Sequence, residues 1–348
     1  MLLLSGLLGL LVAGVSLGLV FDRVIGDGDG DDADAMLQRD APLDTSEADD
    51  TGDSDAQNDA TAAIFAGPPR GASDATSDAG DVLWGDEGAD TLAGGAGGDQ
   101  INGYAGDDLI AGEDGGDSLW GDTGDDTLIG AQDADLLQGE DGDDMVLGGA
   151  ANDTLSGGFG GDVLHGGKGD DSVLGGAGVD RLLGDEGDDS LCGGDGDDIL
   201  IGGLGADELD GNAGDDFLVG LVRGAETGES DVDQADYLNG GRGADTLMVG
   251  TGDWASGGEG GDLFALGEWT DPDNPPVIVD YDRAVDQIAV IYDPDEGAAP
   301  DLTIEPSQET ENAAWIVLNG LRMAQVLNAA DLTIKDVMLV TPADFAYL

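Results

Sequence analysis

Gly166-Gly167-Lys168-Gly169-Asp170-Asp171-Ser172-Val173-Leu174 is followed directly by Gly175-Gly176-Ala177-Gly178-Val179-Asp180-Arg181-Leu182-Leu183. The two stretches are copies of one nine-residue unit, with Gly first, Asp sixth and an aliphatic residue eighth. Working outward, fifteen such units run without a gap over residues 85–219, and place eight is Leu, Ile or Val every time. A fixed period of this kind means one small supersecondary unit stacked on itself, burying its apolar stripe only against its neighbours.

Each conserved place within the unit has a physical reading. Place one is Gly in all fifteen units and place four in thirteen, the exceptions being Asp133 and Ala151. Glycine there permits positive φ and close backbone approach, as a tight turn requires. The last three residues are expected to form a very short strand whose alternation sends place eight to one face and its neighbours to the other. Carboxylates set regularly on tight Gly turns are ligands for hard cations. The place-six residues are Asp90, Asp99, Asp108, Asp117, Asp126, Asp135, Asp144, Asp153, Asp162, Asp171, Asp180, Asp189, Asp198, Asp207 and Asp216. Two later units, over 240–248 and 257–265, add Asp245 and Asp262.

Charge supports the same chemistry. The 348 residues carry 77 acids against 10 bases, a net charge of −67. Such a polyanion repels nucleic acid and anionic membrane surfaces, so cations are its natural partners. Residues 85–219 hold 35 acids and two bases, Lys168 and Arg181, a balance of −33. Cys192 is the only cysteine, which excludes a disulfide framework and zinc or redox motifs. Metal must then do the stapling that sulfur cannot.

The flanks divide the chain further. Residues 1–21 form an apolar run that is either a membrane anchor or an export signal; twenty residues at ~1.5 Å each just span a ~30 Å hydrocarbon layer. Residues 22–79 are acidic, with few large apolar side chains, and read as a disordered linker. Asp27-Gly28-Asp29-Gly30-Asp31 superficially suggests an EF-hand loop, but Asp32 stands at its sixth place and Gln38 where Glu is needed. The roll is expected over 80–267: strict over 85–219, degenerate over 220–239, resumed over 240–265. The degenerate stretch reads as two units with a two-residue bulge, Asp236 and Leu238 still being in phase. From 268 to 348, Val277-Ile278-Val279, Ile288-Ala289-Val290-Ile291, Trp315-Ile316-Val317-Leu318 and Val337-Met338-Leu339-Val340 read as strands. Asn319-Gly320 predicts a hairpin between the third of these and 321–327. This segment is expected to cap the open end of the stack.

The pattern Gly-Gly-x-Gly-x-Asp-x-aliphatic-x resembles the RTX, or haemolysin-type calcium-binding, repeat family over residues 81–265. The resemblance implies an all-β fold, a right-handed parallel β-roll in which two units complete one turn. It also implies Ca²⁺ between turns stacked on the same edge, held by backbone carbonyls and the place-six aspartates. Pairing each turn with the one two units on gives about 13 ions, whose charge of about +26 offsets most of the −33. Affinities of about 10⁻⁴–10⁻³ M would suit extracellular calcium. The units at Gly130 and Gly148, lacking Gly at place four, are expected to bind more weakly. The family further implies a secreted or surface-associated protein, exported by type I secretion machinery that reads an uncleaved C-terminal signal. The ending Asp344-Phe345-Ala346-Tyr347-Leu348 is similar to such tails.

Catalytic motifs are missing from the sequence. There is no His-Glu-x-x-His and no Gly-x-Ser-x-Gly, and Gly167-Lys168 is followed by Gly169 rather than Ser or Thr. His165 is the only histidine. The expectation is a calcium-binding protein that is not an enzyme. The alternative is an adhesin or surface-layer component that uses the calcium-loaded roll as an interaction surface, or as a spacer presenting the C-terminal segment 268–348 to a cell-surface or polysaccharide ligand.

Overall fold

The computed structural model describes residues 80–222, 231, 233–294 and 300–345. The apolar segment 1–21, the linker 22–79 and the last three residues of the terminal signal lie outside the described residues. No described helix is long and apolar enough to cross a membrane.

The described residues form a parallel β-solenoid built from two long sheets, and successive strands alternate between them. Every repeat strand therefore pairs with the strand two units away. Leu164 lies opposite Val146 on one side and Leu182 on the other, each 18 residues distant. Two units make one turn, and the all-β parallel roll is established.

The strands are longer than the sequence suggests. From Thr91–Ala96 to Glu208–Ala213 each runs six residues, from place seven through place three of the next unit, as in Gln100–Ala105 and Ser172–Ala177. The extra residues are Gly, Asp and other poor strand formers. Stacking overrides their propensity, because places two and three pair with the same places one turn away, as Gly167 does with Asp185.

Place eight forms the core. Leu92, Ile101, Ile110, Leu119, Leu128 and Leu137 are all at most 2% exposed, and the file continues through Leu218, Leu238, Leu247 and Phe264 into the C-terminal segment. One large aliphatic side chain per nine residues is a thin core, and much of the remaining interior is backbone and buried aspartate.

The turns explain the glycines. Place four takes positive φ, as at Gly178 (150°), and a Cβ there would collide with the Gly160 carbonyl of the preceding turn. Place two is also left-handed, and seven of the eight units lacking Gly there hold another residue in that conformation, among them Tyr104 (75°), Asp122 (72°) and Ala131 (89°). Asp133 (65°) and Ala151 (86°) do the same at place four. The two exceptional units therefore keep the turn geometry, at the conformational cost of a side chain in the left-handed region. Ala151→Gly is expected to stabilise the calcium-loaded roll by about 1 kcal/mol, measured by denaturant unfolding at saturating calcium. An unchanged or lower midpoint would contradict the left-handed assignment.

The array changes register twice. The offset drops to 17 residues where Tyr237 pairs with Trp254 and Thr246 with Leu263, one residue having been lost from that turn. The larger change comes before it. Glu208 pairs with Tyr237 and Phe217 with Thr246, so the partner offset widens from 18 to 29 residues. Residues 220–239 thus hold one unit, ending with Leu238 in the core, and an eleven-residue insertion rather than two degenerate units. By count alone the two are indistinguishable, since twenty residues accommodate either.

Both sheets then run through the expected 267/268 boundary. Leu263–Gly267 pairs in parallel with Gln287–Ile291, which pairs with Val337–Val340, while Trp254–Gly260 pairs with Val277–Ile278. The Asn319-Gly320 hairpin forms as read, with Leu318 opposite Leu321 and both turn residues at positive φ (54° and 83°). It adds Ala314–Leu318 and then Leu302–Pro306 as antiparallel strands, which end one sheet. A second apolar cluster, separate from the main core, gathers Val219, Met248, Ala265 and Ala289 under Trp269 and Phe345. The Trp269 indole N–H donates to the Val249 carbonyl at 3.0 Å.

Candidate metal sites

The place-six aspartates fall into two continuous columns, one along each edge of the roll. In the first, the backbone N–H of each aspartate donates to Oδ1 of the aspartate one turn on: Asp81 to Asp99, then to Asp117, Asp135, Asp153, Asp171, Asp189 and Asp207. The second runs likewise from Asp90 through Asp108, Asp126, Asp144, Asp162, Asp180, Asp198, Asp216, Asp245 and Asp262. The N···O distances lie near 2.8 Å, as charge-assisted bonds do. Every aspartate expected from the sequence stands in one of these columns.

Four residues in the columns were not among the expected ligands: Asp81, which heads the first column, and Asp236, Asp253 and Asp286. Asp207 N–H donates to Asp236, Asp236 N–H to Asp253, and Asp262 N–H to Asp286. Asp236 and Asp286 keep the Asp-x-aliphatic signal, in Asp236-Tyr237-Leu238 and Asp286-Gln287-Ile288. Asp253 is followed at that spacing by Ala255, which the aliphatic pattern passes over.

The second carboxylate oxygen is the telling one. Oδ2 is buried and has no hydrogen-bond partner in sixteen place-six aspartates, from Asp99 to Asp245. The residues themselves are almost wholly buried, Asp162 and Asp180 each at 1% exposure. A buried orphan acceptor costs about 1–3 kcal/mol, and more if charged. Burial, helped by neighbouring aspartates, pushes Asp117, Asp144, Asp171 and Asp198 up to about 6, and Asp126, Asp153 and Asp189 up to about 7. Burial drives Asp236 and Asp253 far above the ordinary carboxylate range, with added repulsion from Asp253 on Asp236 and from Asp231 and Asp233 on Asp253.

The place-one glycine makes room for that oxygen. A Cβ on Gly175 would stand 2.6 Å from Asp180 Oδ2 and 2.6 Å from the Gly193 carbonyl oxygen. Gly at place one and Asp at place six are thus a single steric requirement. Gly175→Ala is expected to displace the Asp180 carboxylate and lower the calcium count by about one, read by calorimetric titration. An unchanged count would mean that Asp180 binds no ion.

A row of buried carboxylate oxygens without donors, flanked by turn carbonyls, fits a hard divalent cation held by oxygen. The columns from Asp99 to Asp245 would hold it, and it would supply the counter-charge the fold otherwise lacks. Cys192 and His165 stand apart from these columns. Cys192 Sγ accepts a hydrogen bond from Asn212 Nδ2 at 2.9 Å, and burial raises its thiol pKa. His165 Nδ1 lies 3.3 Å from Asp185 Oδ2 at the surface.

Residues 84–119, 120–155, 156–191, 193–221 and 233–253 match the model of the RTX calcium-binding nonapeptide repeat. No curated protein matches the chain. Among solved structures, it is similar to the AlgE6R3 subunit of the mannuronan C5-epimerase from Azotobacter vinelandii. The two are 22% identical over 47% of this chain and 80% of that one, with a TM-score of 0.23. A likeness at that level carries nothing about activity.

Proposed function

From its membership of the RTX calcium-binding repeat family, carried by residues 84–253, we propose that this chain is a secreted or surface-associated, non-catalytic protein whose roll folds when calcium fills its aspartate columns. The observation that carries the reading is the unbroken file of buried, unpartnered Oδ2 atoms. Export by a type I system agrees with it, because a chain that needs calcium to fold stays unfolded where calcium is scarce and orders outside the cell. Equilibrium dialysis at millimolar calcium is expected to find about a dozen ions per chain. One or two would overturn the reading. Fractionation of the producing cell into medium, envelope and cytosol tests the location, and a wholly cytosolic protein would defeat it.

A second reading, as an adhesin or surface-layer component, draws on one feature of the surface. Tyr237 and Trp254 are 61% and 44% exposed on adjacent strands and stack with ring centroids 6.4 Å apart. Exposed stacked rings present an apolar face of the kind sugar rings pack against. Binding of the whole calcium-loaded chain to cell-surface polysaccharide, reduced by Trp254→Ala, would support this reading. Equal retention of both forms would oppose it. The whole chain is required because the strands of 268–345 belong to the same sheets as the repeats.

A further inference from the structure

The insertion in the array builds a site that the repeats do not. At Asp207, Asp233 and Asp236 a carboxylate oxygen from each residue lies within 4.8 Å of the other two, the one such three-acid cluster among the described residues. Asp207 and Asp236 are column members, but Asp233 stands at place three of its unit, where no other unit of the column brings a carboxylate inward.

Its arrival there follows from the backbone. In a regular turn the place-four N–H donates to the place-three carbonyl one turn on, as Gly187 does to Leu204 at 2.8 Å. After the insertion, Gly205 N–H donates instead to the Asp233 side chain, Oδ1, at 2.8 Å. A side-chain carboxylate has taken the position of a main-chain carbonyl. Gln234 N–H also donates to Oδ1, at 2.9 Å, which fixes the carboxylate plane. The other oxygen, Oδ2, is buried without a partner.

The neighbouring groups point independently to a ligand. Asp207 and Asp236 are 1% and 0% exposed, and Oδ2 of each lacks any hydrogen-bond partner. Three converging carboxylates, two of them fully buried, have no ion pair with a cationic side chain among the described residues. A cation with oxygen preference is the group that satisfies all three.

We propose that Asp207, Asp233 and Asp236 form a distinct divalent-cation site of the calcium class, tighter than the repeat sites and filled before them. The inference rests on the reading of the columns as calcium sites. The physical reason is ligand charge: affinity in oxygen sites is tuned by the number of carboxylates and the rigidity of their placement, and this site has one more than a column pair. It would also anchor the turn at which the chain resumes its period after eleven additional residues.

Titration of the full chain with calcium chloride alone, followed by calorimetry, tests the site. The wild-type chain is expected to take up one ion at about tenfold lower free calcium than the remainder. Asp233→Asn is expected to abolish that first step while keeping the strand signal at saturating calcium, and Asp117→Asn to retain the step while losing capacity in the later phase. A wild-type isotherm with no one-ion first step overturns the proposal, whatever the variants do. So does an Asp233→Asn isotherm that superimposes on the wild type. In either case continued uptake by the columns leaves the calcium-binding function standing. Absence of any uptake by the wild-type chain defeats both.

Discussion

Withdrawal of calcium by excess chelator at pH 7.5 is expected to abolish the strand signal in circular dichroism, the repeat sites emptying in one cooperative transition before the three-carboxylate site does, and millimolar calcium reverses the loss. The largest effect belongs here because every turn depends on the same atoms. Sixteen buried Oδ2 atoms lack donors, and at about 1–3 kcal/mol each their desolvation exceeds the ~5–15 kcal/mol by which folded domains are ordinarily stable. Residues 85–219 add a charge of −33 confined to the stack. Against this the interior offers one large apolar side chain per nine residues. Cooperativity follows from the columns: each aspartate accepts the N–H of the turn before it, as Asp180 does from Asp162 at 2.8 Å, so a turn that opens releases its neighbour. The same spectrum in chelator and in calcium would refute the coupling.

What the sequence revealed, and what it hid, follows from where each constraint acts. The core file and both columns were readable from single units, because Leu164 or Asp162 plays the same part in every repeat. The Asn319-Gly320 hairpin was readable because that pair meets the positive φ of its turn locally. Strand length was not. Gly184, Asp185 and Glu186 are poor strand formers, and pairing with the next turn makes this stretch strand. The eleven-residue insertion was hidden for a similar reason, since pairing Glu208 with Tyr237 is a long-range choice that composition leaves open. Asp233 shows the limit most clearly. At place three it reads as one more surface acid in an acidic chain, and its ligand geometry comes from the displaced backbone that lets its side chain meet Gly205 N–H.

Metal-free chain is expected to gain order as the pH is lowered from 7.5 to 4, the reverse of ordinary acid denaturation. The buried aspartates have folded-state pKa values of about 6 to 7, as at Asp135, Asp162, Asp180 and Asp216, against about 3.9 in an unfolded chain. Between these values the folded form holds protons that the unfolded form has released. Stability therefore falls as pH rises through the window, and is recovered below pH 4, where both forms are protonated. Loss of surface repulsion among the 77 acids acts in the same direction. With calcium present the sign inverts, because protons compete for the same carboxylates and the calcium midpoint moves to higher concentration as pH falls through 7 to 6. Circular dichroism of exhaustively dialysed protein across pH 4–7.5, with and without millimolar calcium, measures both arms. Opposite slopes would place the control of folding in the buried carboxylates. Parallel slopes would place it elsewhere, since only a group that holds either a proton or a metal ion can make acid stabilise one form of the roll and weaken the other.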